Sequence, residues 1–289
     1  MKNKIVGLLI LLFIYALAIA IGVVYFIVFT KFGLNDLLSV LLADVIATIF
    51  VWLAGLLFKT ASVYDPYWSI QTMVIYIFLV SYYSNWNLGT ILVLIPIVIY
   101  SFRLTGNFII GFDSLSYVDW RYKMLKDKTG RFYQLVNLFG ICMFPTLVVY
   151  TASIPLMIYA KIGSFSPLNL IGIFVILFGV GLELVSDLQM KTFIKNRKDR
   201  SEIINVGLWN YSRHPNYLGE IIIWFGVGLI LIISFPGYWY FMIGAVINLL
   251  MFIFISIPME EKHMLKYKPN LKEYQERVSC LLLLPNKKK

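Results

Sequence analysis

Charged residues are scarce in this chain, because only 14% of its 289 residues are Asp, Glu, Lys or Arg whereas 60% are hydrophobic. This balance excludes an ordinary soluble globular domain. The sequence has only two Cys and two His, so neither a disulfide framework nor a metal-ligand cluster is indicated. It also lacks a Pro/Gly/Ser-rich linker, a low-complexity block and an internal repeat, which predicts a single membrane domain.

Long apolar stretches make up most of the sequence. A helix needs about 20 apolar residues to cross the hydrocarbon core of a bilayer, and its backbone polar groups must pair within the segment. The predicted fold class is therefore all-α, a polytopic transmembrane helix bundle of seven to eight spans. The predicted spans are 5–29, 37–58, 67–84, 88–110, 133–160, 168–190, 217–234 and 238–258.

The N-terminal apolar stretch has a second interpretation, since MKNK followed by an apolar run and the small residues ALAIA could be a signal peptide. The run continues as far as Phe29, and this length favours an uncleaved helix. We therefore expect the first span to be retained.

The net charge of +10 is explained by membrane topology, since Lys and Arg fall almost entirely in alternate loops. Only Lys31 and Lys161, of 25 such residues, lie in loops predicted to be outside the cell. Both termini and the loops 111–132 and 191–216 are therefore predicted to be cytoplasmic, close to anionic lipid headgroups. This distribution argues against a nucleic-acid partner.

The segment YSRHPNYLGE carries the strongest functional signal. Pro215 suits the first position of a helix and the residue before it is biased away from helix, so a helix is predicted to begin after His214. Asn216 and Glu220 then share one face, and Arg213 can attract an anion to the first-turn N–H groups. These features suit a phosphate-bearing cofactor. The alternative, that Arg213 and His214 are headgroup anchors, leaves Glu220 unexplained inside an apolar run.

A stripe of four charged residues lies near the cytoplasmic end of the sixth predicted span. Glu183, Asp187, Lys191 and Lys195 recur every four residues and therefore share one face of a helix. The two lysines are explained equally well without a functional role, by salt bridges within the helix and by side chains that extend toward the headgroups. The two acids lie deeper and are predicted to face a polar cavity, because exposure to lipid would be costly.

Asp65 and Tyr100 are predicted to lie near the membrane ends of neighbouring spans, with Arg103 one turn beyond Tyr100. A carboxylate near a buried tyrosine can orient the phenolic proton toward a developing oxyanion. Two alternatives without a catalytic role are open. Tyr100 is one of 19 tyrosines and can be an ordinary packing residue, and Asp65-Pro66 can simply be the signal that starts a helix.

Two further segments are predicted to lie at the cytoplasmic face. The stretch SYVDWRYKMLKDK should form a short interfacial helix, with Trp120 and Tyr122 near headgroup level. Residues 260–280 carry charges at helical spacing and should fold back over the same face.

Several of these motifs resemble the bacterial membrane family grouped with the steroid 5-alpha-reductases. They are Asp187-Leu-Gln189, Gly207-Leu-Trp209, the segment YSRHPNYLGE, Asp119-Trp-Arg-Tyr122 and the tail EEKHMLKYKPNLKEYQERVSCLLLLP. The Arg-His-Pro-x-Tyr-x-Gly core is also similar to isoprenylcysteine carboxyl methyltransferases and phospholipid methyltransferases. Glu220 directly after Gly219, together with the Asp-Trp-Arg-Tyr stretch, favours the reductases.

The resemblance implies about seven spans and NADPH entering from the cytoplasmic side, so that 1–36 is an extra N-terminal span and 37–289 a reductase-like membrane domain. It implies that Asp65 and Tyr100 hold the substrate carbonyl, although steroid reductases have Glu in place of Asp65 and Asn in place of Glu183. The residues that it assigns to the cofactor are Asn216, Glu220, Asp187, Arg213, His214, Arg103 and Tyr217.

The expected activity is NADPH-dependent reduction of a C=C bond conjugated to a carbonyl in a steroid-, isoprenoid- or lipid-like substrate. A cytoplasm-facing pocket would hold the cofactor, and Tyr100, oriented by Asp65, would donate a hydrogen bond to the carbonyl oxygen. The expected partners are a lipophilic substrate and the lipids of the bacterial cell membrane. One alternative is an S-adenosylmethionine-dependent membrane methyltransferase, and another is a non-catalytic lipid-binding protein.

Overall fold

A computed structural model describes residues 3–286 of the chain. Lys2 and Lys287 to Lys289, which contribute to the basic termini predicted to be cytoplasmic, lie outside the described residues. The described part is helical, with one isolated parallel bridge between Ser212 and Ser279. The helices are α1 (Lys4–Lys31), α2 (Asp36–Phe58), α3 (Tyr67–Tyr82), α4 (Leu88–Gly111), α5 (Trp120–Thr129), α6 (Tyr133–Val136), α7 (Phe144–Ile162), α8 (Asn169–Asn196), α9 (Pro215–Ser234), α10 (Ile243–Met251), α11 (Ile257–Met264) and α12 (Leu271–Arg277).

The all-α polytopic prediction is confirmed, and the protein is an integral multi-pass membrane protein. Within residues 3–286, 7 segments are long and apolar enough to cross a membrane. The predicted span 67–84 corresponds to α3, which has only 16 residues and is not one of the seven. The seven are Lys4–Lys31, Asp36–Phe58, Leu88–Gly111, Trp120–Ile162, Asn169–Asn196, Pro215–Ser234 and Pro236–Met264.

Three of these helices have an asparagine as their N-cap residue. The Oδ1 atom of Asn3 accepts the N–H of Ile5 at 2.9 Å, and that of Asn35 accepts the N–H of Leu38 at the same distance. Asn87 forms a reciprocal capping box at the start of α4. Each side chain replaces an intrahelical partner that the first turn lacks, which fixes where the apolar helix starts.

Two of the predicted spans contain irregular helix. Residues 133–160 begin with α6, continue as a π-helix over Asn137–Met143 and end in α7. Residues 238–258 run through a 3-10 segment, Pro236–Met242, then α10, and then a second π-helix, Phe252–Ser256. Both spans were predicted from their apolar content. That content does not show where an α-helix changes to a π-helix or a 3-10 helix.

The first of two compact units is Met1–Ser164. In this unit α1 packs along α2, and α3 packs against α4 and α7. Hydroxyl groups join the helices: Thr146 Oγ1 lies 2.9 Å from Thr48 Oγ1 and 2.7 Å from Tyr64 Oη, and Thr72 Oγ1 lies 2.8 Å from Ser153 Oγ. Such hydrogen bonds stabilise helix pairs that lack a hydrophobic driving force in lipid.

The second unit is Phe165–Lys289, and α8 with α9 is its main helix pair. Glycines seven residues apart on each helix allow the two backbones to approach closely. A Cβ added to Gly179 would lie 2.7 Å from the carbonyl oxygen of Gly219, and one added to Gly226 would lie 2.8 Å from Ile176 Cγ1. Small residues at such a seam are typical of membrane helix pairs.

The predicted domain boundary after residue 36 does not coincide with the division between the two units, which falls after Ser164. The first helix belongs to the first unit, where it packs along α2 and where Tyr15 Oη donates a hydrogen bond to the carbonyl oxygen of Val63 at 2.6 Å. That α1 is an addition to a reductase-like domain stays a prediction.

Candidate functional site

The helix predicted after His214 does begin at Pro215, and the segment before it is fastened to α8. Gln189 Oε1 accepts the backbone N–H of Leu208 at 2.9 Å, and the indole N–H of Trp209 donates to the carbonyl oxygen of Ser186 at 3.0 Å. These contacts join two of the motifs singled out in the sequence. They fix the position of the YSRHP segment relative to the C-terminal half of α8.

Glu261, on α11, binds three side chains around this segment. Its Oε1 atom accepts Arg213 Nε at 2.8 Å and lies 3.1 Å from His214 Nε2, while its Oε2 atom accepts Gln275 Nε2 at 2.7 Å. Arg213 also donates to the carbonyl oxygens of Gln275 and Val278, each at 2.9 Å. Arg213 and His214 therefore hold the C-terminal segment, and their contact with a cofactor stays a prediction.

The C-terminal segment folds back onto the residues before α9, and that this face is cytoplasmic stays a prediction. Tyr274 Oη donates to the carbonyl oxygen of Trp209 at 2.5 Å, and Ser212 Oγ donates to that of Leu281 at 2.7 Å. The N–H of Arg213 also donates to the carbonyl oxygen of Ser279 at 2.9 Å. Burial raises the pKa of the Tyr274 phenol, so this group remains a donor at physiological pH.

Asn216 and Glu220 lie on successive turns at the start of α9. The Asn216 side chain is half-buried and makes no hydrogen bond to any residue of the described range 3–286. Glu220 is 4% exposed, and its Oε1 atom accepts the indole N–H of Trp224 at 2.8 Å. The ring of Tyr217 stacks on that of His214, with centroids 5.3 Å apart. This first turn therefore presents a free amide one turn before a buried acid.

The second buried acid of this unit is Glu183, on α8. It is 5% exposed, and a Cβ added to Gly219 would lie 2.5 Å from its Cγ atom. Glu183 and Glu220 therefore occupy the part of the α8–α9 pair where the backbones approach most closely. Asp187, one turn beyond Glu183, is half-buried, whereas Lys191 and Lys195 are exposed. The predicted stripe thus runs from a buried acid, Glu183, through the half-buried Asp187 to two exposed bases.

In the first unit, the hydrogen-bond donor to Asp65 Oδ1 is the phenol of Tyr122. The Tyr122 side chain is buried against the protein, where the Asp65 carboxylate accepts its hydrogen bond, and its predicted position near headgroup level stays a prediction. Burial raises the pKa of Asp65 to about 7, against the opposite effects of the Tyr122 hydrogen bond and the Arg121 charge. In this pair the carboxyl of Asp65, and not the phenol, is therefore the group whose pKa lies near neutral pH.

The Asp-Trp-Arg-Tyr motif positions this tyrosine. Asp119 precedes α5, and its Oδ1 atom accepts the backbone N–H of Arg121 at 2.9 Å and the Nε–H of the same residue at 2.8 Å. Thr60 Oγ1 donates to the carbonyl oxygen of Tyr117 at 2.7 Å, which ties the segment before α5 to the loop that contains Asp65. The motif thus has a structural role in addition to its resemblance to the reductases.

Tyr100 lies on α4 and is 1% exposed, and Arg103 is half-buried one turn later. Both positions agree with the predicted shared face on a helix. Since Tyr122 donates to Asp65, the orientation of Tyr100 by Asp65 stays a prediction. The contact between Tyr122 and Asp65, 57 residues apart, was not predicted, because no local pattern specifies it.

A polar cluster within the first unit was also missed. Asp44, on α2, is 6% exposed; its Oδ1 atom accepts Tyr67 Oη at 2.8 Å, and its Oδ2 atom accepts the side-chain amide of Gln71. The rule that singled out Glu220, an acid inside an apolar run, applies equally to Asp44. Across residues 3–286, no group of three or more His, Cys, Asp or Glu side chains could hold a metal ion.

Comparison with known proteins places most of the chain in one family. The family model described as "Protein of unknown function (DUF1295)" matches residues 51–278. This range includes Asp65, Tyr122, the YSRHPNYLGE segment and Glu261, and it begins within α2, so α1 lies outside it. No curated protein and no solved structure matches the chain. The protein belongs to the DUF1295 family.

Proposed function

We propose that this protein is a membrane-embedded reductase that uses NADPH to reduce a C=C bond conjugated to a carbonyl in a lipophilic substrate. The DUF1295 family is related to steroid 5-alpha-reductase-like proteins, which supports this reaction class. The observation that carries the proposal is the start of α9, where the free amide of Asn216 precedes the buried acid Glu220. An ionisable group inside a membrane helix is costly and is usually retained for function.

The residues of the second unit fit a dinucleotide. Carboxylates such as Asp187 and Glu220 accept hydrogen bonds from ribose hydroxyls or a carboxamide, and the Asn216 amide can both donate and accept. The first-turn N–H groups of α9 and the exposed Lys191 and Lys195 favour phosphate groups. When bound, NADPH supplies a hydride. Arg213 and His214 support this site by holding the segment that leads into α9.

The residues of the first unit fit the carbonyl end of the reaction. A buried phenol that donates a hydrogen bond to a carbonyl oxygen stabilises the negative charge that develops there during reduction. Tyr100 is the predicted donor, and Tyr122, which is bonded to Asp65, is the second candidate. Asp65, with its pKa raised to about 7, can hold and release a proton near neutral pH.

We also propose that the protein resides in a bacterial cell membrane with both termini cytoplasmic. The distribution of Lys and Arg supports this orientation, because only Lys31 and Lys161 fall in the loops that it places outside. The basic loops would then face the compartment that contains NADPH.

The function is tested by measuring enone-dependent oxidation of NADPH by the reconstituted protein. We expect Tyr100→Phe to retain NADPH binding and to lower turnover by about 10² to 10³, the usual effect of removing one oxyanion donor. Tyr76→Phe is the matched control, since this buried phenol donates to the backbone carbonyl of Thr90 at 3.1 Å.

Near-normal turnover in Tyr100→Phe together with a loss in Tyr122→Phe would transfer the donor role to Tyr122. Failure of every enone in the panel, combined with methyl transfer from S-adenosylmethionine to a lipid, would contradict the reductase proposal and favour the methyltransferase alternative.

A further inference from the structure

A cavity of about 80 Å³ lies among α1, α2 and α3 of the first unit. Small residues leave the space between the helices, including Ala18 and Gly22 on α1 and Ala43 and Ala47 on α2. A single water molecule needs only about 10–15 Å³ by the same measure. The remaining lining is largely apolar, with Phe26, Val74 and Phe78 among it. This space suits an organic group better than water.

One polar atom of the cavity lining has no partner. Gln71 is 5% exposed, and its Oε1 atom is buried and makes no hydrogen bond to the described part of the chain. Its Nε2 atom donates to Asp44, so the orientation of the amide is fixed by that acceptor. A buried acceptor without a donor costs free energy, and native proteins rarely tolerate one. The cavity therefore calls for a ligand with a hydrogen-bond donor.

The other polar atoms of the cavity lining indicate which hydrogen-bond donor the ligand carries. Both oxygens of Asp44 already accept hydrogen bonds, from Tyr67 and from Gln71, so the unsatisfied group is a neutral amide oxygen rather than a free carboxylate. A hydroxyl matches this acceptor. A buried water would need two to four polar partners, and apart from Gln71 Oε1 the polar groups of the lining already make hydrogen bonds within the protein.

The position of the cluster indicates a lipid. Asp44 lies about 12 Å along α2 from its first residue, at 1.5 Å per residue, and is therefore well inside the predicted span. We propose that this cavity binds a single-chain lipid alcohol, of the fatty or isoprenoid type, whose hydroxyl donates to Gln71 Oε1 and whose chain lies along α1 and α3.

The lining of the cavity includes none of the residues assigned to the proposed reaction, and the inference does not depend on that proposal. Two of its three walls, α1 and the part of α2 that carries Asp44, lie before the family match begins at residue 51. The site is therefore a feature of this chain's N-terminal region and not a property that the family match supplies.

The test uses a photoactivatable long-chain alcohol, with the labelled residues mapped by mass spectrometry on the full-length protein in lipid nanodiscs. We expect labels on α1, α2 and α3, and we expect 1-dodecanol to compete about fivefold better than its methyl ether, the equivalent of one neutral hydrogen bond. In Gln71→Leu this preference for the alcohol should disappear. Equal competition by the two compounds in the wild type would overturn recognition of the hydroxyl.

A variant that fills part of the cavity tests whether the alcohol binds there. Gly22 lines the cavity, and a Cβ added there meets no atom within 4 Å, so Gly22→Leu adds volume at the cavity wall without a backbone clash at the Cβ. Gly106→Leu, on α4, is the matched control, because its Cβ also meets nothing and Gly106 does not line the cavity. Labelling of α1 to α3 should be lost in Gly22→Leu and retained in Gly106→Leu. Unchanged labelling in Gly22→Leu would overturn the site.

Discussion

At the scale of single residues, Glu261 connects three segments that are far apart in the sequence. Its carboxylate binds Arg213 and His214 before α9 and Gln275 on α12. The Arg213 and Glu261 side chains are 12% and 14% exposed, so their ion pair is poorly solvated. Removal of one partner from such a pair leaves a charge without compensation, which costs more than the pair itself contributes.

We therefore expect Glu261→Gln to lower the free energy of unfolding by about 1–3 kcal/mol, because it keeps the volume but removes the charge. The C-terminal segment should also become more sensitive to limited proteolysis. The apparent melting temperature in detergent and the proteolysis rate measure both effects. Glu276→Gln, at an exposed position of α12, is the control and should change neither. Equal behaviour of the two variants would contradict the role of Glu261.

Single residues also show what the sequence can predict about the site. The helix start at Pro215 followed from backbone restrictions that proline imposes on itself and on its neighbour. The burial of Glu183 and Glu220 followed from their position in apolar runs. The hydrogen-bond partners of Asp65 and Arg213 could not be predicted from the sequence. They lie 57 and 48 residues away, in segments that only the folded chain brings together.

At the scale of elements, the α8–α9 pair depends on its glycines. A Cβ at Gly179 would overlap the backbone of Gly219, whereas a Cβ at Gly181 would meet nothing within 4 Å. We expect Gly179→Ala to destabilise the protein by about 1–3 kcal/mol, through forced separation of the helices. Gly181→Ala should be neutral or stabilise by up to about 1 kcal/mol, since it only improves helix propensity. Thermal unfolding in detergent compares them, and a neutral Gly179→Ala would contradict the close approach.

Element boundaries were predictable where the chain has a local start signal. The predicted spans 37–58 and 217–234 lie within two residues of α2 and α9, whose first turns are set by Asn35 and Pro215. The irregular segments were not predicted. A π-helix such as Asn137–Met143 reflects tertiary packing around one shifted turn. The apolar character of the sequence is the same whether or not the helix contains such a turn.

At the scale of the whole molecule, the charge distribution predicts which loops face the cytoplasm. The test introduces single cysteines in a background without Cys142 and Cys280. Lys161→Cys should react with an impermeant reagent from outside the cell, and Lys198→Cys should not. Both lysines are exposed, so burial does not explain a difference between them. The opposite labelling pattern would contradict the orientation.

Length and apolar content predicted seven of the membrane segments and one more, 67–84, that is too short to be counted with them, but they did not predict the division into two units. Hydropathy describes each segment by itself, whereas the units Met1–Ser164 and Phe165–Lys289 arise from which helices pack together. For the same reason the resemblance separated residues 1–36 from the rest, although α1 packs along α2.

The central claim is that the start of α9 binds NADPH, and ligand-dependent thermal stabilisation of the purified protein tests it most directly. A ligand at about 100 times its Kd stabilises the folded state by about 2.7 kcal/mol. We predict that NADPH stabilises the wild type more than S-adenosylmethionine does, and that Asn216→Ala and Glu220→Gln remain folded but lose the effect, while Glu276→Gln keeps it. Stabilisation by S-adenosylmethionine alone, or undiminished NADPH binding in both α9 variants, would contradict the claim.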